Sequence, residues 1–184
     1  MMLPTPYMPE GVDIQMEKIL ERAYRDTAYF CKMFMPRSFT RPFSEAHKQI
    51  FKALDDDSIQ KLVIAMPRGW GKTTIFNKAY PAKRILFRDR KYIVPVSATA
   101  PSAIEFSENL KSELLTNSDI VDVFGPINSR SSGDTDGPFS TLEWVTDSGI
   151  KILPRGAQQQ IRGRLFKDAR PDLFIIDDVE DDHT

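Results

Sequence analysis

The chain has 184 residues, a formal net charge of −1, 41% hydrophobic residues and 28% charged residues, which is ordinary globular composition. This composition excludes a fibrous repeat and argues against a disordered chain. A net charge near zero argues against a protein that coats nucleic acid through bulk positive charge. Contact with nucleic acid would therefore need local basic clusters, and the sequence has two that are either such contacts or solvated surface: Arg84, Arg88, Arg90 and Lys91, and then Arg162, Arg164, Lys167 and Arg170.

Cys31 is the only cysteine, so the chain can form neither an internal disulfide bond nor a cysteine zinc cluster. We expect Cys31 to lie in the core. The first residues, MMLPTPYMPEG, lack the charged and apolar regions of a signal peptide. No apolar run approaches the roughly 18 residues that a membrane span requires. These features predict an intracellular protein without a membrane partner.

The first half of the chain predicts helices. Residues 1–11 contain three prolines and are typical of an extended arm. Apolar residues at three- and four-residue spacing then predict one helix over residues 14–34 with a single buried face. Prolines 36 and 42 interrupt this pattern, and Ser44 can cap a shorter helix that runs to Leu54.

From residue 62 the pattern changes to alternating strands and helices. Residues 62–66 (LVIAM) form a continuous apolar run before Pro67, which is typical of a buried parallel strand. A helix is predicted over residues 73–86, although Pro81 should end or kink it. Residues 92–98 (YIVPVSA) indicate a strand, in which Pro95 argues against a fully hydrogen-bonded central position. A further helix is predicted from Pro101 to about Leu115.

The last third predicts a loop, a hairpin and one more strand. Residues 125–137 are rich in glycine and serine, as loops are. Residues 142–145 and 150–153 are predicted to pair as a hairpin across a Thr-Asp-Ser-Gly turn. Residues 172–180 (DLFIIDDVE) indicate an apolar strand that runs into acidic residues. The alternation of strands and helices predicts one α/β domain with helical cover.

The stretch AMPRGWGKTT at residues 65–74 resembles a phosphate-binding loop. The usual pattern is G-x-x-x-x-G-K-[ST], and here Met66 stands where its first glycine should be. Such a loop follows a strand, turns its backbone N–H groups inward and opens a helix whose positive end faces the phosphates. By itself, the triplet Gly71-Lys72-Thr73 is weak evidence for a phosphate-binding loop. Its position between a predicted strand and a predicted helix strengthens it.

Each residue of this loop has a predicted role. Gly69 and Gly71 supply backbone freedom, Lys72 supplies the ammonium group, and the Thr73 hydroxyl is placed to ligate Mg²⁺. The remaining members have weaker assignments: Arg68 can help to neutralise phosphate charge, Thr74 is a second hydroxyl candidate, and Trp70 has no evident role.

The acidic strand end supplies the second half of a nucleotide site. A nucleotide hydrolase needs one carboxylate on a neighbouring strand end for Mg²⁺ and another that polarises the attacking water. Asp177 is predicted as the metal-side residue. Asp178 and Glu180 compete for the catalytic position. The alternative is a strand that ends in a solvated acidic turn.

Either of two arginines in the segment QIRGR is a candidate to reach a nucleotide on another subunit. Arg162 and Arg164 flank a glycine, and an arginine supplied in trans can stabilise the charge of a transferring phosphoryl group. Contact with a phosphate backbone, or plain surface charge, explains them equally well. His47 and His183 lack metal-ligand spacing, and neither is assigned to catalysis.

Four segments together resemble the large subunit of tailed-phage terminases, the motor that packs viral DNA. They are FSEAHKQIF, AMPRGWGKTT, GAQQQIRGRLF and ARPDLFIIDDVED, which occur in this order within roughly residues 40–182. Loops of the form PRGxGKT and strands of the form RPDLIIIDDxE recur in that family. The resemblance therefore implies that Met66 reflects family divergence.

The resemblance implies a P-loop NTPase fold of the RecA-like additional-strand class, with a mainly parallel sheet flanked by helices. Residues 1–57 would form an N-terminal arm and a helical lid beside the adenine, and residues 58–184 a partial ATPase core. The implied cofactors are ATP and Mg²⁺, bound by Lys72, Thr73 and Asp177. Asp178 or Glu180 would activate water, and Arg162 or Arg164 would be the finger.

The implied partners are dsDNA, the portal protein and the small terminase subunit, in the cytoplasm of the host cell. The resemblance also implies a homo-oligomeric ring, a pentamer, on the portal, although isolated large subunits are often monomers. Because the sequence stops just after the acidic strand, we expect a sheet with an open edge, weak or no ATP turnover, and no nuclease domain or DNA cleavage. A helicase-like P-loop ATPase and a non-catalytic assembly fragment are the alternatives.

Overall fold

The computed structural model of the protein describes residues 7–128, 138–161 and 163–179. It is an α/β structure in which a mixed sheet is flanked by helices, as the sequence predicts at this level. The helices are α1 (Ile14–Arg25), α2 (Thr27–Phe34), α3 (Glu45–Leu54), α4 (Tyr80–Leu86), α5 (Ala100–Thr116) and α6 (Ser118–Phe124). The strands are β1 (Tyr92–Ser97), β2 (Trp144–Val145), β3 (Lys151–Ile152), β4 (Arg155–Gly156) and β5 (Leu173–Ile176).

The prediction of a single helix over residues 14–34 is wrong, because the helix is interrupted at Asp26. Asp26 has extended backbone angles, and its N–H still donates to the Arg22 carbonyl to end α1. Its side chain accepts a hydrogen bond from the Tyr29 N–H at 2.9 Å and so begins α2. A short acidic side chain competes with the helix for backbone donors in this way. The apolar spacing continues across the break, which is why periodicity did not reveal it.

The predictions for α3 and α5 are confirmed. Ser44 caps α3, which ends at Leu54, and α5 has a proline in its first turn with Leu110 and Leu114 buried. The prediction that Cys31 lies in the core is also confirmed, since its side chain is fully buried. Helix α6 was not predicted.

The helix predicted over residues 73–86 is present, and Pro81 does not end it. A π-helical segment, Thr74–Ala79, precedes α4, and the Tyr80 N–H donates to the Ile75 carbonyl five residues back. Pro81 then occupies the first turn of α4, where a missing N–H costs little. The wide turn therefore lets one continuous helical run accept a proline.

Strand β1 is the centre of the sheet. It pairs in parallel with β5 on one edge and with β3 and then β4 on the other. Strand β2 pairs with β3 in antiparallel orientation, which confirms the predicted hairpin. Three of the four pairings are thus parallel, in agreement with a mainly parallel sheet.

Pro95 lies in this central strand, opposite Ile175 of β5. The odd-numbered carbonyls of residues 91, 93 and 97 accept hydrogen bonds from the β3 and β4 side. An N–H at residue 95 would therefore point to that same side, where the ladder is interrupted between Ile152 and Arg155. The missing donor of Pro95 falls at this break, so the proline is tolerated at the centre of the sheet.

The strand predicted at residues 62–66 is wrong. These residues pair with no strand in the described part of the chain, and Val63 is 96% exposed. The apolar run passes beside β5 with a cavity between the two segments. A run of this kind becomes a strand only where a neighbouring edge accepts its hydrogen bonds, and local composition does not report on that edge.

One hydrophobic core joins the helices to the sheet. It contains side chains from α1 to α3, such as Phe30 and Phe51, together with Ile93, Ile152 and Ile175 of the strands. The opposite face of β1 packs under the segment that holds Ile161 and Phe166. The helices before residue 58 therefore share a core with the rest, and their role as a lid stays a prediction. No helix in the described ranges is both long and apolar enough to cross a lipid bilayer.

A buried polar cluster ties α2, α3 and α4 together. The Lys83 ammonium, only 1% exposed, donates to Asp55 Oδ1 at 2.7 Å and to Thr27 Oγ at 2.8 Å. The Thr27 N–H donates to the second oxygen of Asp55 at 2.8 Å. Burial lowers the pKa of Lys83, and the Asp55 carboxylate acts against that shift. The buried polar atoms of Lys83, Asp55 and Thr27 keep their hydrogen-bond partners only while all three residues are present.

Loss of Lys83 should therefore destabilise the fold strongly. We expect Lys83→Met to lower the free energy of unfolding by about 3 kcal/mol, because it leaves the Asp55 carboxylate without its cation. The matched control is Lys48→Met on α3, whose ion pair with Glu45 is largely exposed; its cost should stay below about 0.5 kcal/mol. Urea denaturation measures both, and equal losses would contradict the expectation.

Burial of Cys31 predicts a pH-dependent contribution to stability. Burial raises the pKa of this thiol from 9.0 to about 12, so the folded state keeps a proton that the unfolded state loses above pH 9. The stability associated with the protonated thiol is complete below pH 9 and is lost as the pH rises towards 12. The difference in unfolding free energy between wild type and Cys31→Ala should narrow by about 1.4 kcal/mol between pH 8 and pH 10. Parallel pH profiles for the two proteins would refute this.

Candidate functional site

The loop at residues 68–71 turns the chain into the long helical run that begins at Lys72. Gly69 and Gly71 have φ angles of +81° and +75°, which side chains other than glycine rarely adopt. A Cβ atom built on either glycine would meet nothing within 4 Å, so the turn faces open space. The two glycines therefore perform the conformational role that the sequence predicts.

Backbone donors collect at the start of this helix. The Gly71 carbonyl accepts the first helical hydrogen bond, from the Ile75 N–H at 3.0 Å. Within the described residues, the N–H groups of Gly71, Lys72, Thr73 and Thr74 have no acceptor. Free donors at a helix start carry partial positive charge and suit an anion.

Asp177 follows β5 and meets the helix start from the sheet. Its side chain is 6% exposed, and its N–H donates to the Val96 carbonyl at 3.0 Å. The Lys72 ammonium lies 2.7 Å from Asp177 Oδ1. The Thr73 hydroxyl lies 3.4 Å from Oδ2, at the limit of a hydrogen bond. The structure thus brings together three residues that were predicted to share a site.

Asn77 completes the surroundings of this carboxylate, and sequence reasoning missed it. The side-chain amide of Asn77 is buried and donates to Asp177 Oδ2 at 2.7 Å. Asn77 lies in the π-helical segment, four residues after Thr73. That spacing places both residues on one helix face, and it was the available signal.

Asp178 is exposed beside Asp177 and has an unusual backbone. Its φ angle is +52°, a left-handed conformation that aspartate tolerates better than most residues. Its carbonyl accepts from the Ala98 N–H at 2.9 Å, which fixes the chain just after β5. Asp178 lines the same cavity as Lys72 and Asp177, and its water-activating role stays a prediction.

His47 and Trp70 form a contact that the sequence did not predict. His47 Nε2 lies 2.8 Å from the Trp70 carbonyl oxygen, and the two rings stack with centroids 5.8 Å apart and planes 23° apart. His47 Nδ1 lies 2.7 Å from the Ser44 hydroxyl at the start of α3. Trp70 therefore fastens the loop to α3. The signal in the sequence was the position of His47 three residues after the capping serine.

The other predicted loop residues lie at the surface or beside the site. Arg68 is exposed and makes no ion pair or hydrogen bond within the described part of the chain. Thr74 is partly buried at the beginning of the π-helical segment. Their roles towards phosphate stay predictions.

Arg164, the finger candidate that the structure describes, is exposed. Burial raises the pKa of Tyr92, and Arg155 and Arg164 act against that rise. Burial and then the charge of Arg164 lower the pKa of Arg155. No contact between Arg164 and Lys72 or Asp177 occurs among the described residues. Its action in trans stays a prediction, while Arg162 and Glu180 lie outside the described residues.

A cavity of about 430 Å³ extends from the site along β5, a size typical of ligand cavities. Lys72, Asp177 and Asp178 line one end, and Arg84, Arg90 and Asp172 lie along its length. Its floor is β5, whose edge away from β1 pairs with no strand that the structure describes. The loop glycines lie outside its lining, and of residues 68–74 only Lys72 lines the cavity.

The donor set fits a magnesium ion that is shared with a nucleotide. No group of three or more His, Cys, Asp or Glu side chains converges within the described ranges, so a metal held by protein alone is not indicated there. Nucleotide sites instead hold Mg²⁺ through one or two carboxylates together with phosphate oxygens. One buried carboxylate, one hydroxyl and one ammonium are the groups such a site needs.

Comparison of the chain with protein-family models, with curated proteins and with solved structures finds no match. Any function therefore has to be argued from the residues of this chain and their geometry.

Because Asn77 is the closer donor to Asp177, its substitution should lower the free energy of unfolding more than substitution of Thr73. Asn77→Leu should lower the free energy of unfolding by about 1–2 kcal/mol, because the buried carboxylate loses a close donor. Thr73→Val removes only the 3.4 Å contact at a more exposed position and should cost about 0.5 kcal/mol or less. Urea denaturation of both variants measures the difference. A larger loss for Thr73→Val would contradict the assignment.

Proposed function

We propose that this chain binds and hydrolyses ATP with Mg²⁺ at the loop of residues 68–74. The single observation that carries the proposal is the convergence of Lys72 and Thr73 on Asp177, more than 100 residues later in the sequence. Unsatisfied N–H groups at the same helix start add donors for phosphate oxygens. Lys72 would then bind phosphate, and Thr73 and Asp177 would hold Mg²⁺.

Binding of a triphosphate would exchange one ion pair for another. Lys72 is paired with Asp177 at 2.7 Å, and its side chain is 38% exposed. A phosphate group offers the ammonium a second anion, and Mg²⁺ offers the carboxylate a second cation. Because both partners are replaced together, Mg²⁺ and nucleotide should favour each other at this site. The water-activating role falls to Asp178 among the described carboxylates.

We further propose that the ATP site serves a motor of the DNA-packaging terminase type, with a P-loop fold of the additional-strand class. This rests on the four sequence segments given above and on the α/β architecture that they anticipate. Its partners would be dsDNA, a portal protein and a small terminase subunit, in a ring of subunits in the host cytoplasm. In that ring Arg162 or Arg164 would reach the nucleotide of a neighbouring subunit.

A second candidate is a non-catalytic assembly module. Exposed apolar side chains favour it: Val63 and Ile176 are 96% and 63% exposed beside the free edge of β5. Exposed apolar surface of this kind marks contact sites for other chains. This candidate requires no nucleotide binding at Lys72.

A titration with a fluorescent ATP analogue, with and without Mg²⁺, separates the two candidates. We expect saturable binding by the wild type and at least a roughly tenfold loss of affinity for Lys72→Ala, because the ammonium group contributes a charge-assisted hydrogen bond. Asp177→Asn should bind at least as tightly as wild type without Mg²⁺, since Lys72 is released. It should gain little from added Mg²⁺.

The matched control is Lys18→Ala, which removes the same charge from an exposed position on α1. Its affinity should equal that of the wild type. Equal affinities for Lys72→Ala and Lys18→Ala would overturn the proposed function. Absence of saturable binding in a folded wild-type sample would favour the assembly module.

A further inference from the structure

We infer that His47 is a positioning residue for the phosphate loop, because it fixes the peptide unit between Trp70 and Gly71 and so presents the Gly71 N–H to a phosphate oxygen. The inference rests on the proposed function, since it concerns how the same loop receives its anion. It assigns a role to a histidine that has no direct contact with Lys72 or Asp177 among the described residues.

The hydrogen bonds of His47 define which ring nitrogen donates. The Ser44 N–H donates to Nδ1 at 3.3 Å, so Nδ1 presents a lone pair in the neutral ring. The proton then resides on Nε2, which donates to the Trp70 carbonyl at 2.8 Å. The Ser44 hydroxyl, 2.7 Å from Nδ1, holds the ring in this orientation.

Planarity of the peptide bond transmits this hydrogen bond to the opposite side of the chain. The Trp70 carbonyl and the Gly71 N–H belong to one trans peptide unit, in which the two groups point in opposite directions. A carbonyl held towards His47 therefore holds the N–H away from α3. That N–H has no acceptor within the described residues, and it stands beside the free donors of Lys72 and Thr73.

Without His47 this peptide unit would be free to rotate. The glycines on both sides of Trp70 impose little conformational restraint. Stacking of the Trp70 ring on His47 adds a second restraint on the same residue. Helix α3 is a firm support, because Asp55 at its far end is tied to the buried Lys83. Donors that are already oriented bind an anion without a further ordering cost.

Two substitutions separate the hydrogen bond from the ring stack. His47→Gln keeps an amide donor for the Trp70 carbonyl and an oxygen for the Ser44 N–H, as a glutamine in a capping box does, but it loses the ring. His47→Phe keeps a ring that can stack and loses both nitrogens. His47→Leu loses both the donor and the ring and replaces His47→Phe if that variant fails to fold. The matched control is Gln49→Ala, a neutral change at an exposed position on the same helix.

The experiment is calorimetric titration of each full-length variant with inorganic tripolyphosphate, which reports on phosphate contacts without a base. We expect His47→Phe to bind about tenfold more weakly than wild type, the loss that one oriented donor accounts for. His47→Gln should stay within about threefold of wild type, and Gln49→Ala should be unchanged.

Acrylamide quenching of tryptophan fluorescence supplies a structural readout that is independent of binding. Trp70 is 42% exposed, whereas Trp144 is fully buried, so quenching reports on Trp70. Quenching should increase in His47→Gln, which loses the stack, and change little in His47→Phe. His47→Phe should therefore bind more weakly with little change in quenching, whereas His47→Gln should bind almost normally with increased quenching.

Three results would overturn the inference. If His47→Gln bound tripolyphosphate weakly and His47→Phe bound it normally, the ring stack and not the hydrogen-bond donor would position the loop. Equal binding by all variants would remove any role for His47 and leave the proposed function intact. Absence of tripolyphosphate binding by the folded wild type would overturn the proposed function, and the inference with it.

Discussion

The buried carboxylate of Asp177 is the constraint on which the candidate site depends. It stands where the β5 backbone leaves the sheet, and it holds Lys72 at 2.7 Å and Asn77 at 2.7 Å. A buried carboxylate without such partners would be costly, so the start of the helical run has to stay against the end of β5. One interaction thus locates the loop relative to the sheet, and it uses the same groups that a magnesium nucleotide would engage.

Helix α3 supports this arrangement from the other side. Its first turn holds the Trp70 carbonyl through His47, and Asp55, which follows its last residue, pairs with Lys83 of α4. The loop and α4 belong to one continuous helical run, so α3 is tied to that run at two separated points. Helix α2 is joined to the same cluster, because the Lys83 ammonium also donates to Thr27 Oγ. The exposed loop is therefore connected to the core of the helices through α3 and through its own helical run.

Local chemistry predicted most elements, and long-range pairing explains the failures. The caps of α3, the hairpin and the apolar strand before Asp177 depend on near neighbours in sequence, and they are confirmed. Residues 62–66 failed because a strand needs a partner edge, which composition does not encode. Lys72, Thr73 and Asp177 were predictable from motif order, whereas Asn77 and His47 required knowledge of which helix faces the carboxylate and the loop.

The unpaired run at residues 62–66 also bears on how the loop is held. In a loop that connects a paired strand to a helix, the strand would fix one end of the turn. Here Val63 is almost fully exposed, and the turn is fixed instead through its helical end and through Trp70. The contacts that set the geometry of Gly71 and Lys72 thus come from Asp177 and His47. Neither contact involves residues 62–66, so Lys72 and Trp70 are held in place without a paired strand before the loop.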